Sequence, residues 1–291
     1  MKKAEKFGYF SEYIFLHAIA LFINIIPYSW AVFLARHVSA LLFHVMKKRR
    51  KITYENLRGA FPEKSEKDLE IIARSTFENM ARVAIEFVSI PRLIKKGFVR
   101  ISNTHNVWNV LKKNRGLILI VSHLTNWEVM AIAAGIEDFP IHAVGRPLKN
   151  PYVYNYVKRM RGFTGLKSIN KEGAIRETIK LLKQNKIVCF LIDQHERQGA
   201  VKVQFFGRPC YSSSLPARIA AKWDVPVIAT FCYRDEHEIL TTDFEEPFQL
   251  IKTGDEEADT QANTQMFVSA IERRVKAKPS EWLWMHKRWR A

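Results

Sequence analysis

The sequence predicts an α/β fold, with a central, mostly parallel sheet flanked by helices, and three observations carry that prediction. Gly116–Ser122 (GLILIVS) and Ile187–Ile192 (IVCFLI) are near-continuous apolar runs, the pattern of strands buried on both faces. Helical patterns alternate with these runs, as at Trp127–Gly135, Pro151–Arg161 and Glu172–Gln184, and such alternation builds parallel sheets. Hydrophobic residues make up 47% of the 291 positions, enough for one large core and too many for a disordered chain.

Taken in order, residues 1–51 read as a membrane-anchoring helical segment and residues 52–291 as the α/β domain. Lys2, Lys3 and Lys6 lead into an apolar run from Tyr13 to Ile26, interrupted by His17 and Asn24. Pro27 breaks the chain before a second run, Tyr28–Met46, which contains Arg36, His37 and His44 and ends on the basic block Lys47–Lys51. A spanning helix needs about 20 uninterrupted apolar residues, and neither run meets that. No small-residue cleavage site follows, as a signal peptide would require. The expectation is one or two helices lying at the bilayer interface, with a single tilted transmembrane helix as the alternative. Tyr9, Tyr13, Tyr28 and Trp30 suit headgroup depth. The basic block would face anionic headgroups at roughly 1 kcal/mol per residue.

Beyond it, Ser65 with Asp68 marks a capped helix start, and Leu69, Ile72, Phe77, Met80, Val83, Ala84 and Phe87 form a packing stripe. Further strands are expected at Phe98–Ile101, His142–Val144, Val201–Phe206 and Val225–Tyr233, with Leu240–Phe244 as an edge strand. Further helices are expected at Val107–Lys113 and Leu215–Trp223, and Ile175, Ile179, Leu181 and Leu182 should point inward from the helix at Glu172–Gln184. Thr253–Thr264 reads as a polar surface loop before a last helix, Gln265–Lys276.

The net charge of +17, from 46 basic and 29 acidic residues, calls for an anionic partner: nucleic acid, an anionic membrane surface, a phosphorylated substrate or an acidic carrier protein. Nucleic acid is set aside, since no helix-turn-helix, zinc or RNA-binding motif is visible and it would leave the apolar N-terminal region unexplained. Cys189, Cys210 and Cys232 are odd in number and unpaired in spacing, which fits a reducing compartment. No metal-ligand spacing is present. The P-loop, G-x-G-x-x-G and G-x-S-x-G are missing too, so no cofactor is expected, and a substrate hydroxyl is the expected nucleophile.

In open α/β sheets, ligands bind beyond the carboxyl ends of the strands. The first buried run leads there into His123-Leu-Thr-Asn-Trp-Glu128. Across a strand-to-helix turn, with Thr125 or Asn126 near the cap, His123 and Glu128 can meet. A carboxylate on one ring nitrogen would then leave the other to accept a proton from a hydroxyl. Arg146, after the next strand, could hold a phosphate or a developing oxyanion. The second buried run ends in Asp193-Gln194-His195-Glu196-Arg197, where Asp193 or Glu196 could contact a sugar or assist His123, and Arg197 could bind phosphate. Asn126 and Gln194 complete the expected substrate-binding group. Taken singly, each of these residues is equally well read as part of a solvated loop.

These residues resemble a family. His123–Glu128 is similar to the H-x-x-x-x-[D/E] motif of the glycerolipid (lysophospholipid) acyltransferase superfamily, in the form found in the lipid A biosynthesis late acyltransferases. Gly145–Pro151 (GRPLKNP), Val201–Gly207 (VKVQFFG), Pro279–Trp289 (PSEWLWMHKRW) and Glu55-Asn56-Leu57 look like further blocks of that branch, so the resemblance covers nearly the whole chain. It implies transfer of a fatty acyl chain from an acyl-carrier-protein (or CoA) thioester to a hydroxyl of a phosphorylated lipid acceptor, a lipid A precursor, at the cytoplasmic face of the inner membrane. It also implies His123 as general base, Glu128 as its orienting partner, Arg146 on the thioester oxygen or an acceptor phosphate, and Asp193 with its loop shaping the acceptor site. The Asp-Gln-His-Glu-Arg loop departs from the Asp-x-Asp-Tyr-like run common in lipid A enzymes, which keeps other acceptors open: a phosphatidylinositol mannoside, or a lysophospholipid. A non-catalytic lipid-binding protein and a hydrolase are the competing readings.

Overall fold

The computed structural model describes residues 3–145, 147–170 and 173–290. Four helices come first: α1 (Lys3–Ile25), α2 (Tyr28–Val45), α3 (Lys47–Ala60) and the long α4 (Glu66–Lys95). Strands and helices then alternate through β1 (Val99–Ser102), α5 (Thr104–Leu111), β2 (Leu117–Val121), α6 (Trp127–Ala133), β3 (Ile141–Gly145), α7 (Pro151–Arg161), β4 (Lys167–Asn170), α8 (Ala174–Lys183) and β5 (Ile187–Leu191). The hairpin β6 (Ala200–Phe205) and β7 (Arg208–Ser213) follows, then α9 (Leu215–Trp223), β8 (Val227–Arg234), β9 (Leu240–Pro247) and α10 (Glu256–Ala277).

Seven strands form one sheet in the order β1-β9-β8-β2-β5-β3-β4, parallel throughout except for the antiparallel pair β8–β9. The two apolar runs become the adjacent central strands β2 and β5. Alternate side chains of β2 serve opposite faces: Ile118 and Ile120 join the core beneath α8, α9 and α10, whereas Leu117, Leu119 and Val121 join the core beneath α5 and α6. Burial on both faces is why these strands read as unbroken hydrophobic runs.

Several local expectations change. β9 is an inner strand lying between β1 and β8, and β1 is the edge; Leu240–Phe244 looked marginal because Thr241, Thr242 and Asp243 are polar. The segment expected as a loop at Thr253–Thr264 is mostly helix. Asp255 caps α10 by accepting the Glu257 and Ala258 N–H groups at 3.0 Å, and Asp259, Asn263 and Thr264, turned inward, have partners there. Asp259 accepts the Thr253 N–H at 2.9 Å, and Asn263 donates to Ile251 O at 2.9 Å. Satisfied buried polar groups mimic a solvated loop in composition. Ile175, expected inward, is exposed on α8. β4 and β7 carry no strand signal in the sequence because both are largely polar, and β4 is only four residues long. The turn joining β6 to β7 places Phe206 and Gly207 at positive φ, 54° and 65°, as tight hairpins favour.

The Ser65 cap is present, accepting the Asp68 N–H at 3.2 Å. α1 and α2 pack against α4, and Arg92 of α4 closes the end of α1 by donating to the Ile23, Asn24 and Ile26 carbonyls at 3.2, 3.0 and 2.7 Å. Their outer face stays apolar, with Phe7, Phe15, Leu21, Phe22 and Ile25 exposed on α1, and Trp30, Phe33, Leu41 and Val45 on α2. The stretch Glu5–Ile25 is long and apolar enough to cross a membrane, contrary to the expectation that neither run would be. The helix begins well before the apolar run and draws Phe7, Tyr9 and Phe10 into the same rod. α2 and α3 meet at a bend of 91°. The basic block Lys47–Lys51 and the boundary drawn at Lys51 fall inside α3, which carries on to bury Ile52 and Leu57.

Candidate active site

β2 and β5 are parallel, with Val121 directly opposite Leu191. Two residues past each strand end stand His123 and Asp193. Equal offsets from in-register positions bring their side chains alongside one another at the carboxyl edge of the sheet. His123 Nδ1 lies 2.8 Å from Asp193 Oδ1. The other oxygen, Oδ2, accepts the His123 backbone N–H at 2.7 Å and the Trp282 indole N–H at 2.8 Å.

Asp193 is almost wholly buried. Burial works to raise its carboxyl pKa. The imidazole of His123, the His123 backbone N–H and the Trp282 indole outweigh that and hold it down to about 2. An ionised carboxylate can only accept, so Nδ1 of His123 donates to it, and in the neutral ring Nε2 is then the nitrogen that bears the lone pair. The side-chain amide of Gln194, 3.2 Å from Nε2, agrees with that tautomer by donating to it. The His123 side chain keeps 17% of its surface exposed, so a substrate can reach it. The arrangement is a histidine held by a buried carboxylate, a geometry able to move a proton.

The C-terminal segment closes one side of the site. Thr125 sits at φ 50°. Its N–H donates to Glu281 O at 2.9 Å, and the Leu283 N–H donates to His123 O at 3.1 Å, so the two segments meet like strands. Asn79 of α4 ties both together by donating to Thr125 O at 3.1 Å and Glu281 O at 3.0 Å. Arg288 is fully buried and donates to Gln194 O at 2.8 Å, Tyr211 O at 2.6 Å and Ser212 Oγ at 2.5 Å. His286 accepts the His195 N–H at 3.2 Å. Burial, together with the charges of Arg288 and Arg290, pulls its pKa to about 4 despite Asp193 nearby, so it serves as a neutral acceptor.

Glu128 does not partner His123. From the first turn of α6 it forms a two-point ion pair with Arg161 at the end of α7, at 2.8 and 2.5 Å, because five residues across this turn carry its side chain toward α7. Asn126, expected at the substrate, is fully buried. Its amide donates to Glu86 at 2.7 Å and its oxygen accepts the Val129 N–H at 3.0 Å, so it caps α6 and anchors it to α4. Arg197 is exposed in the loop after β5. Arg146 lies outside the described residues. A concavity of about 510 Å³ lined by Phe61, Lys64, Phe206 and Lys276 involves neither member of the dyad. Among the described residues, no group of three or more His, Cys, Asp or Glu side chains could hold a metal ion.

Sequence reasoning gave Trp282 and Arg161 no role. Trp282 lies inside the C-terminal block that carried the resemblance, which was the available signal. Arg161 had none, being 33 positions from Glu128.

The whole chain, residues 1–291, matches the family described as bacterial lipid A biosynthesis acyltransferase. It is similar to the lipid A biosynthesis lauroyltransferase of Escherichia coli K12, at 22% identity over 91% of this chain and 87% of that protein. It is also similar to the lipid A biosynthesis palmitoleoyltransferase of the same organism, at 22% identity over 91% and 86%. A phosphatidylinositol mannoside acyltransferase of Mycolicibacterium smegmatis is 22% identical over 63% of this chain and 60% of its own length. With the family's pattern covering the full chain and a carboxylate-oriented histidine at the sheet edge, the chain belongs to the bacterial lipid A biosynthesis acyltransferase family and is an acyltransferase.

Proposed function

We propose that the protein transfers a fatty acyl chain from a carrier thioester to a hydroxyl of a lipid A precursor, with His123 as general base. The observation that carries this reading is the His123–Asp193 pair, which engages Nδ1 and leaves Nε2 on the reachable side of the ring. Nε2 takes the proton of the acceptor hydroxyl as its oxygen attacks the thioester carbonyl. The imidazolium, steadied by the Asp193 carboxylate, then returns the proton to the departing thiolate as the tetrahedral intermediate collapses. Gln194 gives up its contact with Nε2 when the hydroxyl arrives. Glu128 acts at one remove, by holding Arg161 and the start of α6. Arg146 and Arg197 take anionic groups of donor or acceptor.

The acyl donor is an acyl-carrier-protein thioester, whose acidic surface the net charge of +17 would attract. The exposed apolar faces of α1 and α2, with the adjoining basic block, hold the enzyme on an anionic membrane surface at the cytoplasmic face of the inner membrane. The mannoside acyltransferase relative supports a phosphatidylinositol mannoside as the second acceptor to try.

The test is incubation of the detergent-purified enzyme with acyl-carrier-protein thioester and a Kdo-bearing lipid A precursor, with mass spectrometry to detect one added acyl mass. His123→Ala should lower the rate by about 10²–10⁴. Release of free fatty acid without acylated lipid would instead identify a hydrolase. Full transfer by His123→Ala would remove the general-base mechanism.

A further inference from the structure

We propose that Trp282 is a positioning residue of the transfer reaction, whose indole N–H fixes which oxygen of Asp193 faces His123. This rests on the reading of His123 as general base. A carboxylate has two oxygens with about four acceptor sites between them. If it were held only through the imidazole, it could turn about its own axis and present either oxygen in a poorer line. In this protein Oδ2 is held by two donors from different parts of the chain, the His123 backbone N–H at 2.7 Å and the Trp282 indole at 2.8 Å. That leaves Oδ1 for Nδ1.

The indole has little freedom. Trp282 is 2% exposed and packs edge-on to Trp284 with ring centres 4.7 Å apart, and against Phe205 at 5.3 Å. Its backbone is bridged to Leu124, next to the catalytic histidine. One short segment therefore sets both the backbone beside His123 and the carboxylate facing it. The indole pins an atom 89 positions away in the sequence. A buried carboxylate that loses one of its donors is left under-satisfied and free to reorient. The base would then be oriented correctly for only part of the time, which lowers kcat and leaves substrate affinity alone.

The experiment is a double-mutant cycle on purified enzyme, with Trp282→Phe, Asp193→Asn and the two combined. Hydrogen-bond partners that orient metal-bound histidines contribute 10–100-fold, and the indole plays the like part for the Asp193 carboxylate. Trp282→Phe should therefore lower kcat about 10-fold, with both KM values within about twofold. In the Asp193→Asn background it should add no further loss, since it acts only through Asp193. Phe139→Leu, in the core on the opposite face of the sheet, should lower Tm while sparing kcat. Unchanged kcat in Trp282→Phe, or losses that simply multiply in the double variant, would overturn the proposal. If Trp282→Phe does not fold, indole N–H resonances of ¹⁵N-tryptophan-labelled enzyme are compared between wild type and Asp193→Asn. One buried indole signal should shift, and none shifting would overturn the proposal equally well. His123→Ala, run alongside, separates the two layers: full activity there removes the general-base reading, whereas an inactive His123→Ala with a multiplicative Trp282 cycle removes only the role of Trp282.

Discussion

Asp193 and Glu86 are both buried carboxylates, each gathering donors from distant parts of the chain, yet their partners set them to different tasks. Asp193 holds an imidazole, a group that takes up and releases a proton. Glu86 of α4 is fully buried. It binds the Arg234 guanidinium at 2.8 and 2.9 Å, the Tyr28 hydroxyl at 2.7 Å and the Asn126 amide at 2.7 Å. Burial works against the charge on Arg234, and Glu86 more than offsets it, holding the guanidinium protonated above its ordinary range. A guanidinium does not release its proton in a protein. The Glu86 cluster therefore joins α2, α4, β8 and the start of α6 through a guanidinium, while the Asp193 cluster ends in an imidazole. Burial of a carboxylate does not by itself mark an active site. The acid–base capacity of the partner is what separates these two clusters.

Three changes test this contrast, from the largest effect to the smallest. Asp193→Asn should lower kcat by about 10²–10⁴, because an amide in that place can donate to Nδ1 and drive the ring proton onto Nε2. Stability should fall by no more than about 2 kcal/mol, the contribution of the ionised carboxylate, and steady-state kinetics beside thermal unfolding will show the two effects. Glu86→Gln should do the reverse. It leaves the charge of Arg234 buried with only the more distant Glu238, at 3.5 Å, at a cost of up to about 3–5 kcal/mol in stability, while kcat of the folded enzyme stays within about threefold; chemical denaturation and assays below the unfolding range measure the two. A large loss of kcat without loss of stability in Glu86→Gln would erase the distinction between the clusters.

The smallest effect is on pH dependence. The Asp193 pKa is depressed from 3.8 to about 2 in the folded protein. Its ionisation therefore contributes stability that is fully present above the unfolded pKa and is lost as pH falls from about 4 toward 2. That amounts to about 2 kcal/mol at 1.36 kcal/mol per unit. Unfolding free energy measured across that interval should fall more steeply in wild type than in Asp193→Asn. Equal slopes would mean that the carboxylate is not held in its charged form.

Much of the architecture was legible because burial on both faces leaves unbroken apolar strings, as in β2 and β5. α10 was not, because Asp259, Asn263 and Thr264 are polar residues facing inward, and their partners appear only once the chain has folded. The carboxylate beside His123 was misassigned for a related reason. Glu128 is near in sequence, and proximity along the chain favours it until strand register is known. A one-strand neighbour relation between β2 and β5, in step at Val121 and Leu191, outranks a five-residue spacing. Asp193 had been noted as able to assist His123, but nothing in the linear pattern chose it over Glu128.

By itself, then, the sequence determined the α/β class, the helical apolar N-terminal region and the place of His123 at the end of a central strand. These follow from periodicity and from groups adjacent along the chain. Only the tertiary structure decided that Asp193 pairs with His123, that Glu128 belongs to Arg161, and that Trp282 reaches the Asp193 carboxylate. Hydrogen bonds of that kind join segments tens of residues apart, and their geometry exists only after strand pairing and helix packing have fixed which side chains become neighbours.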